Sequence, residues 1–335
     1  MSNISETHYQ QPLLLKPVAI PKPWGQEIWY TGMESRGVSE IVTAQGLHPL
    51  DQYLQAQPAL SCNNQDVLLL KVLDPSPTVV TGDLYFEVHE KKQEVYVVTH
   101  VDQQAWPNGE GAIRFGMNQA KRKDYADDGA FRQAYLSAVT AYEEVRRKID
   151  AGVADPNNPE LDQQEISLRR EMESFTQLLG LKTGDVVQVP TWTPHALQHG
   201  VRVVEFQTPT YERYIVSFAQ QVLTQDHWDT THAVAKMHID APAQPTLPVV
   251  SPGVERIAAF DDFEAWRIDH STSPQFSLPP NLPYAVCMSL TDATVANLTL
   301  QPEQACFIPH QACKQQVTIS ATHGHTLIAA PKLST

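Results

Sequence analysis

Two runs dense in β-branched and aromatic residues, TVVTGDLYFEVH (78–89) and EVYVVTHV (94–101), are separated by only four residues, EKKQ. So short a connection between two strand-forming runs predicts a tight hairpin. Residues i and i+2 of a strand point to one face, so Glu87 and His89 project together. As the closing pair of the loop, His89 and Glu94 would stand opposite each other, with Cβ atoms ~5 Å apart. Three groups able to hold a cation thus converge on one side of a two-stranded unit. Burying two carboxylates beside imidazole without a cation would be costly, so the expectation is a divalent metal site.

The surroundings read as a β-protein with one helical interruption. VLLLKVL (67–73) is an apolar run ended by Asp74-Pro75, which predicts a buried strand. Its Lys71 needs a reason to be there, either a partner carboxylate or a ligand. Residues 1–20 predict a lead-in and an early edge strand, because Pro17, Pro21 and Pro23 block regular pairing. From Phe131 through Tyr135, Val139, Tyr142 and Val145 to Ile149 the apolar residues recur every three or four positions, a helical stripe. DPNNPE (155–160) predicts a turn, and Leu161 to Leu179, ended by Gly180, a second helix. Strands return in GDVVQVP and GVRVVEFQ (184–207), where Glu205 alternates inward with Val203 and Gln207.

APAQPTLPVVSP (241–252) has a linker composition, and a second set of short strands follows it. There, LQPEQACFIP (300–309) echoes LKTGDVVQVP (181–190), a weak internal repeat. The predicted architecture is mainly β, with two barrels of related design. The first comprises 1–116 and 181–240, the helical insertion 117–180, and the second barrel 241–335. His100, His199, His310, His323 and His325 are read as structural or surface histidines, and the second barrel as metal-free.

A formal net charge of −14 argues against a nucleic-acid or anionic-membrane partner, since no basic surface dominates. An anionic small molecule needs only a local pocket of Lys and Arg. The four cysteines (Cys62, Cys287, Cys306 and Cys313) form no C-x-x-C pair and read as reduced thiols. The N-terminal residues lack a basic stretch followed by an apolar run, so the expected location is cytoplasmic.

The stretch Gly82…Glu87-Val88-His89-(EKKQ)-Glu94 resembles the first cupin motif, and Gly184-DVVQV-Pro190-TWTP-His195 resembles the second. Trp192 stands where cupins usually carry Gly, and His199 where they usually carry Asn. The resemblance implies jelly-roll barrels and adds His195 to Glu87, His89 and Glu94 as a fourth metal ligand. It narrows to the type I mannose-6-phosphate isomerases. It is carried by PKPWGQEIW near the start, LLLKVLDPSPTVVTGDLYFEVH, Lys92-Gln93-Glu94 and VPTWTPHALQHGVRVVEFQTPTYERY. The family has two cupin barrels with a helical segment in the first, and holds zinc with Gln, His, Glu and His. Glu87 replaces that Gln and makes the site harder and more negative, so zinc is expected, with manganese and iron as alternatives.

By the same resemblance Lys92, Glu205 and Arg213 become catalytic candidates, and Lys71, Lys92 and Arg213 candidates for binding substrate. The implied reaction interconverts mannose 6-phosphate and fructose 6-phosphate through a cis-enediol, with Glu205 or Lys92 as the base. The implied partner is a small sugar phosphate, and the protein would be a monomer or homodimer. The alternatives are a cupin isomerase or epimerase on another sugar, phosphorylated or not, a non-catalytic metal-stabilised sugar-binding cupin, and a metal-dependent oxygenase.

Overall fold

The computed structural model describes residues 5–153, 159–223, 225–243 and 245–332. Strands dominate, many of them near-continuous apolar runs, and the four larger of five sheets enclose three apolar layers.

The sheet that matters most for the site has six antiparallel strands. Their order is Val186–Val189, Glu94–Val101, Val201–Gln207, Leu69–Pro75, Gly25–Trp29 and Val18–Lys22. It is buried on both faces. Leu70, Val72, Val95, Val97, Val204 and Phe206 point one way, into a core shared with a nine-stranded sheet. The residues between them, among them Leu73, Tyr96, Val98 and Val203, point the other way. That second face meets a five-stranded sheet ordered Thr176–Leu181, Gly111–Met117, His195–Leu197, Phe86–Val88 and Tyr214–Ser217.

The nine-stranded sheet takes strands from both ends of the chain. Leu13–Lys16, Glu40–Thr43 and Gly46–Pro49 join it beside Ala305–Ile308, through the register Leu13 to Phe307 and Leu14 to Cys306. Its far face packs on a four-stranded sheet that includes Thr318–Ser320 and Ala293–Val295, around Cys287, Cys306, Ile308, Ile319 and Ile328. All four cysteines are free and buried.

Three expectations are corrected. The first is the hairpin at EKKQ. Phe86–Val88 and Glu94–Val101 lie in different sheets, and residues 89–93 form a corner between them. This corner is held by bonds to two other loops. Glu90 N and Lys91 N donate to the Glu212 carboxylate, Gln93 N donates to Thr208 Oγ1, and the His89 carbonyl accepts from Trp192 N. Second, most of 78–85 is turn, because Pro75, Pro77 and Gly82 interrupt the ladder, leaving only Phe86–Val88 as strand. A Cβ at Gly82 would stand 1.8 Å from the Ser76 carbonyl, so this turn demands glycine. Third, the second helix ends at Ser174, and Thr176–Leu181 is a strand paired with Gly111–Met117. The apolar pair Leu178-Leu179 suits either period, and the open sheet edge settles it.

The helix Asp128–Asp150 buries Phe131, Tyr135, Val139 and Tyr142 on the five-stranded sheet's core, and of the rest of the expected stripe Val145 is buried and Ile149 half-buried. Asp127 caps it by accepting from Ala130 N at 2.8 Å. The second helix is Pro159–Ser174; of the predicted DPNNPE turn, 155–158 lie outside the described residues, as does 244 of the predicted linker.

Candidate metal centre

The five-stranded sheet brings the first donors together. Glu87 on Phe86–Val88 is in direct register with His195 on His195–Leu197. His89, just past the strand end, returns to the same side as Glu87. Its Nε2 lies 3.5 Å from Glu87 Oε1, and the His89 and His195 rings are 5.1 Å apart. Glu87, His89 and His195 each offer a donor atom within 4.8 Å of the others. Glu94 comes from the facing sheet. Its Oε2 lies 3.6 Å from His89 Nε2 and 3.1 Å from His195 Nε2. The four expected ligands thus meet across the gap between two sheets rather than on one hairpin.

Several observations bear on whether a cation fits. Glu87 Oε2, His89 Nε2 and His195 Nε2 are buried without a hydrogen-bond partner among the described residues, so the short distances to Glu94 are not hydrogen bonds. His195 Nδ1 donates to the Thr193 carbonyl at 2.9 Å, which leaves the Nε2 lone pair directed inward. Burial, then the neighbouring Lys92 charge, lowers the His89 pKa, favouring the neutral imidazole that a metal requires. Burial opposes charge on Glu94, but Lys92 and the imidazoles outweigh it and hold this carboxyl well below its usual range. Glu87 behaves likewise, with His89, Lys92 and Arg213 prevailing over burial. Two imidazoles and anionic carboxylates with unsatisfied inward atoms suit a divalent ion of the zinc type.

The donors open onto a cleft lined by charge. Strand register explains its wall. Across the six-stranded sheet one rung runs Trp29, Lys71, Glu205, Tyr96 and Val187, and the next runs Leu69, Gln207, Glu94 and Val189. Lys71 Nζ lies 3.2 Å from Glu205 Oε1, so the buried Lys has its carboxylate partner and both border the cleft. Burial pushes the Glu205 pKa up to about 8, although Lys71 pulls the other way. Burial would lower the Lys71 pKa, but Glu205, Glu27 and Glu94 outweigh it and keep this amine protonated.

Lys92 Nζ is clamped on Glu94 Oε1 at 2.5 Å, while Tyr96 donates to Glu94 Oε2 at 2.8 Å. Arg213 sits at the exposed rim, its guanidinium carbon 4.3 Å from the Tyr85 ring centre. All eight candidates from the sequence therefore gather at this place: Glu87, Lys92, Glu94, Lys71, Glu205 and Arg213 line the cleft, and His89 and His195 lie behind them.

Reading the sequence misses Trp24, Glu27, Trp29 and Tyr96, which also line the cleft. Tyr96 is two residues beyond Glu94, so the alternation rule could have found it. Glu27 accepts from Trp29 Nε1 at 2.6 Å and pairs with Lys22 at 3.1 Å. These contacts are local to the hairpin of Val18–Lys22 and Gly25–Trp29, but placing that hairpin on the cleft wall depends on its pairing with Leu69–Pro75, which no local pattern announces. His199, read as structural or surface, is structural. Its Nδ1 is 2.7 Å from Asp83 Oδ1 and its ring stacks on Trp106, at 4.7 Å between centres.

A cleft between two antiparallel sheets, with a His and carboxylate donor set that could hold a metal, belongs to a fold of the jelly-roll kind. No protein-family profile and no curated protein sequence matches the chain. Solved structures do. A zinc-bound mannose 6-phosphate isomerase matches at a TM-score of 0.72 and 14% identity, over 96% of this chain and 100% of that one. The apo enzyme from Salmonella typhimurium matches at 0.70 and 14%, with the same coverage. The mannose 6-phosphate isomerase of Bacillus subtilis matches at 0.65 and 16%, over 96% and 99%. The chain has the fold of the mannose 6-phosphate isomerases along nearly its whole length.

Proposed function

We propose that the protein is a metal-dependent aldose–ketose isomerase acting on a sugar phosphate, with mannose 6-phosphate and fructose 6-phosphate as the pair. The observation that carries this reading is the unsatisfied Glu87, His89 and His195 donor set at the end of a cleft that also holds the Lys71–Glu205 pair. Glu87, His89, Glu94 and His195 would hold the ion. The ion, when bound, supplies Lewis acidity toward sugar oxygens. Charge supports an anionic substrate. Five cations (Lys22, Arg36, Lys71, Lys92 and Arg213) face five carboxylates (Glu27, Glu87, Glu94, Glu205 and Glu212), and because Glu205 is largely protonated at neutral pH the formal sum is about +1. A divalent ion raises the sum to about +3, which attracts a phosphate of about −2.

Isomerisation needs a base that takes a proton from C2 of the aldose and returns it to C1 of the enediol. Glu205 suits this role: it is buried, its pKa of about 8 lies close to neutral, and Lys71 fixes its position. Lys92 is committed to Glu94, which favours Glu205 as the base and gives Lys92 the part of orienting that carboxylate. Arg213, without a carboxylate ion pair among the described residues and set at the rim, would meet developing negative charge or the phosphate.

The test is solvent isotope exchange. Metal-loaded protein and mannose 6-phosphate in heavy water should give fructose 6-phosphate, with label at C2 of recovered mannose 6-phosphate, and a chelator should abolish both. Neither product nor label would refute the reading. Turnover of an unphosphorylated sugar at equal rate would move it to a different isomerase.

A further inference from the structure

One cleft residue has a polar atom that the chemistry above leaves unused. Gln207 is 1% exposed and lies in register with Glu94, beside the candidate metal centre. Its Nε2 donates to two backbone carbonyls, those of Thr208 and Thr210, each at 3.1 Å. This fixes the amide orientation, because a flipped side chain would set its oxygen against both carbonyl oxygens. Oε1 is therefore a fixed acceptor. It is buried, has no partner among the described residues, and belongs to a side chain lining the cleft.

An acceptor held in place by two bonds at its far end and left unsatisfied costs free energy unless something donates to it. The cleft wall offers a complement in Trp24, 1% exposed, whose Nε1 donor is also buried and unpartnered. A sugar hydroxyl can both donate and accept, and so can satisfy groups of both kinds. A metal ion cannot satisfy the Trp24 donor.

We infer that Gln207 is a specificity-determining residue, whose Oε1 accepts a hydrogen bond from a hydroxyl on a carbon not undergoing reaction. This rests on the reading of the cleft as a sugar-phosphate site. The chemistry favours polyhydroxylated ligands over those lacking the hydroxyl, because a ligand that cannot donate leaves Oε1 buried and unpaired.

The experiment compares the metal-loaded wild type with Gln207→Met, which keeps the length but removes the acceptor. Two readouts are used: kcat/KM for mannose 6-phosphate and its 3-deoxy and 4-deoxy analogues, and calorimetric binding of mannitol 1-phosphate, which cannot isomerise. The expected result is a loss of about tenfold or more for the parent sugar and the hexitol in Gln207→Met. One deoxy analogue should show the same loss with the wild type and no further loss with the variant. Unchanged binding, or a parallel fall for the parent and both analogues, would overturn the proposal. The second outcome would assign Gln207 only to holding the 208–210 loop. If wild type binds the hexitol through Gln207 but turns over no sugar, the isomerase reading fails and this one stands. If it neither binds nor turns over, both fall.

Discussion

At the scale of single residues, the site is a set of charges that control one another. Glu205 carries the sharpest consequence. As a base it must be ionised, and its pKa of about 8 means that the active form grows as pH rises. The rate should climb through about pH 8 and then level. Lys71→Met removes the cation that pulls this pKa down, so the rising limb should move to higher pH, read from kcat/KM profiles. Glu205→Gln should lose a factor of 10² or more in kcat while metal content by elemental analysis stays level.

Glu27 gives the opposite sign. Burial opposes its charge, but Lys71, Lys22 and the Trp29 indole prevail and depress its pKa to about 2. A depressed carboxyl stabilises the fold above its unfolded pKa of roughly 4.3, and the contribution is lost as pH falls toward 2. It is worth roughly 3 kcal/mol at neutral pH. Urea unfolding of wild type and Glu27→Gln should therefore differ at pH 6 and converge between pH 5 and 2. A difference that persists at pH 2 would contradict this assignment.

At the scale of elements, the reading from sequence succeeded where one local rule sufficed. Glu87 and His89 fall together because they are two apart, and the strand Glu94–Val101 is bounded as its composition predicts. The stripe from Phe131 to Val145 is buried as the helical period requires. The hairpin failed for a physical reason. Two apolar strands joined by a short link can pair with each other or turn a corner into facing sheets. The choice lies with Glu212, Thr208 and Trp192, more than a hundred residues away, which satisfy the link's backbone. His195 needed a motif, since nothing local to it predicts its register with Glu87. The cleft face of Gly25–Trp29 was not legible, because its partners come from tertiary pairing. For the helical insertion, Phe131→Ala should cost about 3–5 kcal/mol, because it empties a fully buried site against Phe175 and Tyr125. Thermal melts would show it, and the metal affinity, set by other strands, should hold within a factor of two or so.

At the scale of the whole molecule, the nine-stranded sheet decides how the chain comes apart. It is built from residues 13–49 as well as 249–331, and it shares a core with the six-stranded sheet. Neither end can be removed without baring Leu70, Val72, Val95, Val97, Val204 and Phe206. Calorimetry should therefore show one cooperative transition, and a fragment of residues 1–240 should aggregate. Two resolved transitions would mean that the shared core contributes less than its burial implies.

The two-sided burial of the six-stranded sheet makes position along a strand act as a one-bit address. In Leu69–Pro75 and Val201–Gln207, odd numbers face the cleft and even numbers face the joint between layers; in Glu94–Val101 the assignment is inverted at Glu94, Tyr96 and Val98. A laboratory library confined to one parity could retune what the cleft accepts without loosening the joint. Inserting or deleting a single residue does the reverse, exchanging every charge for hydrocarbon at one stroke. Selection can thus explore new chemistry here by substitution, whereas a change in strand length is closed to it.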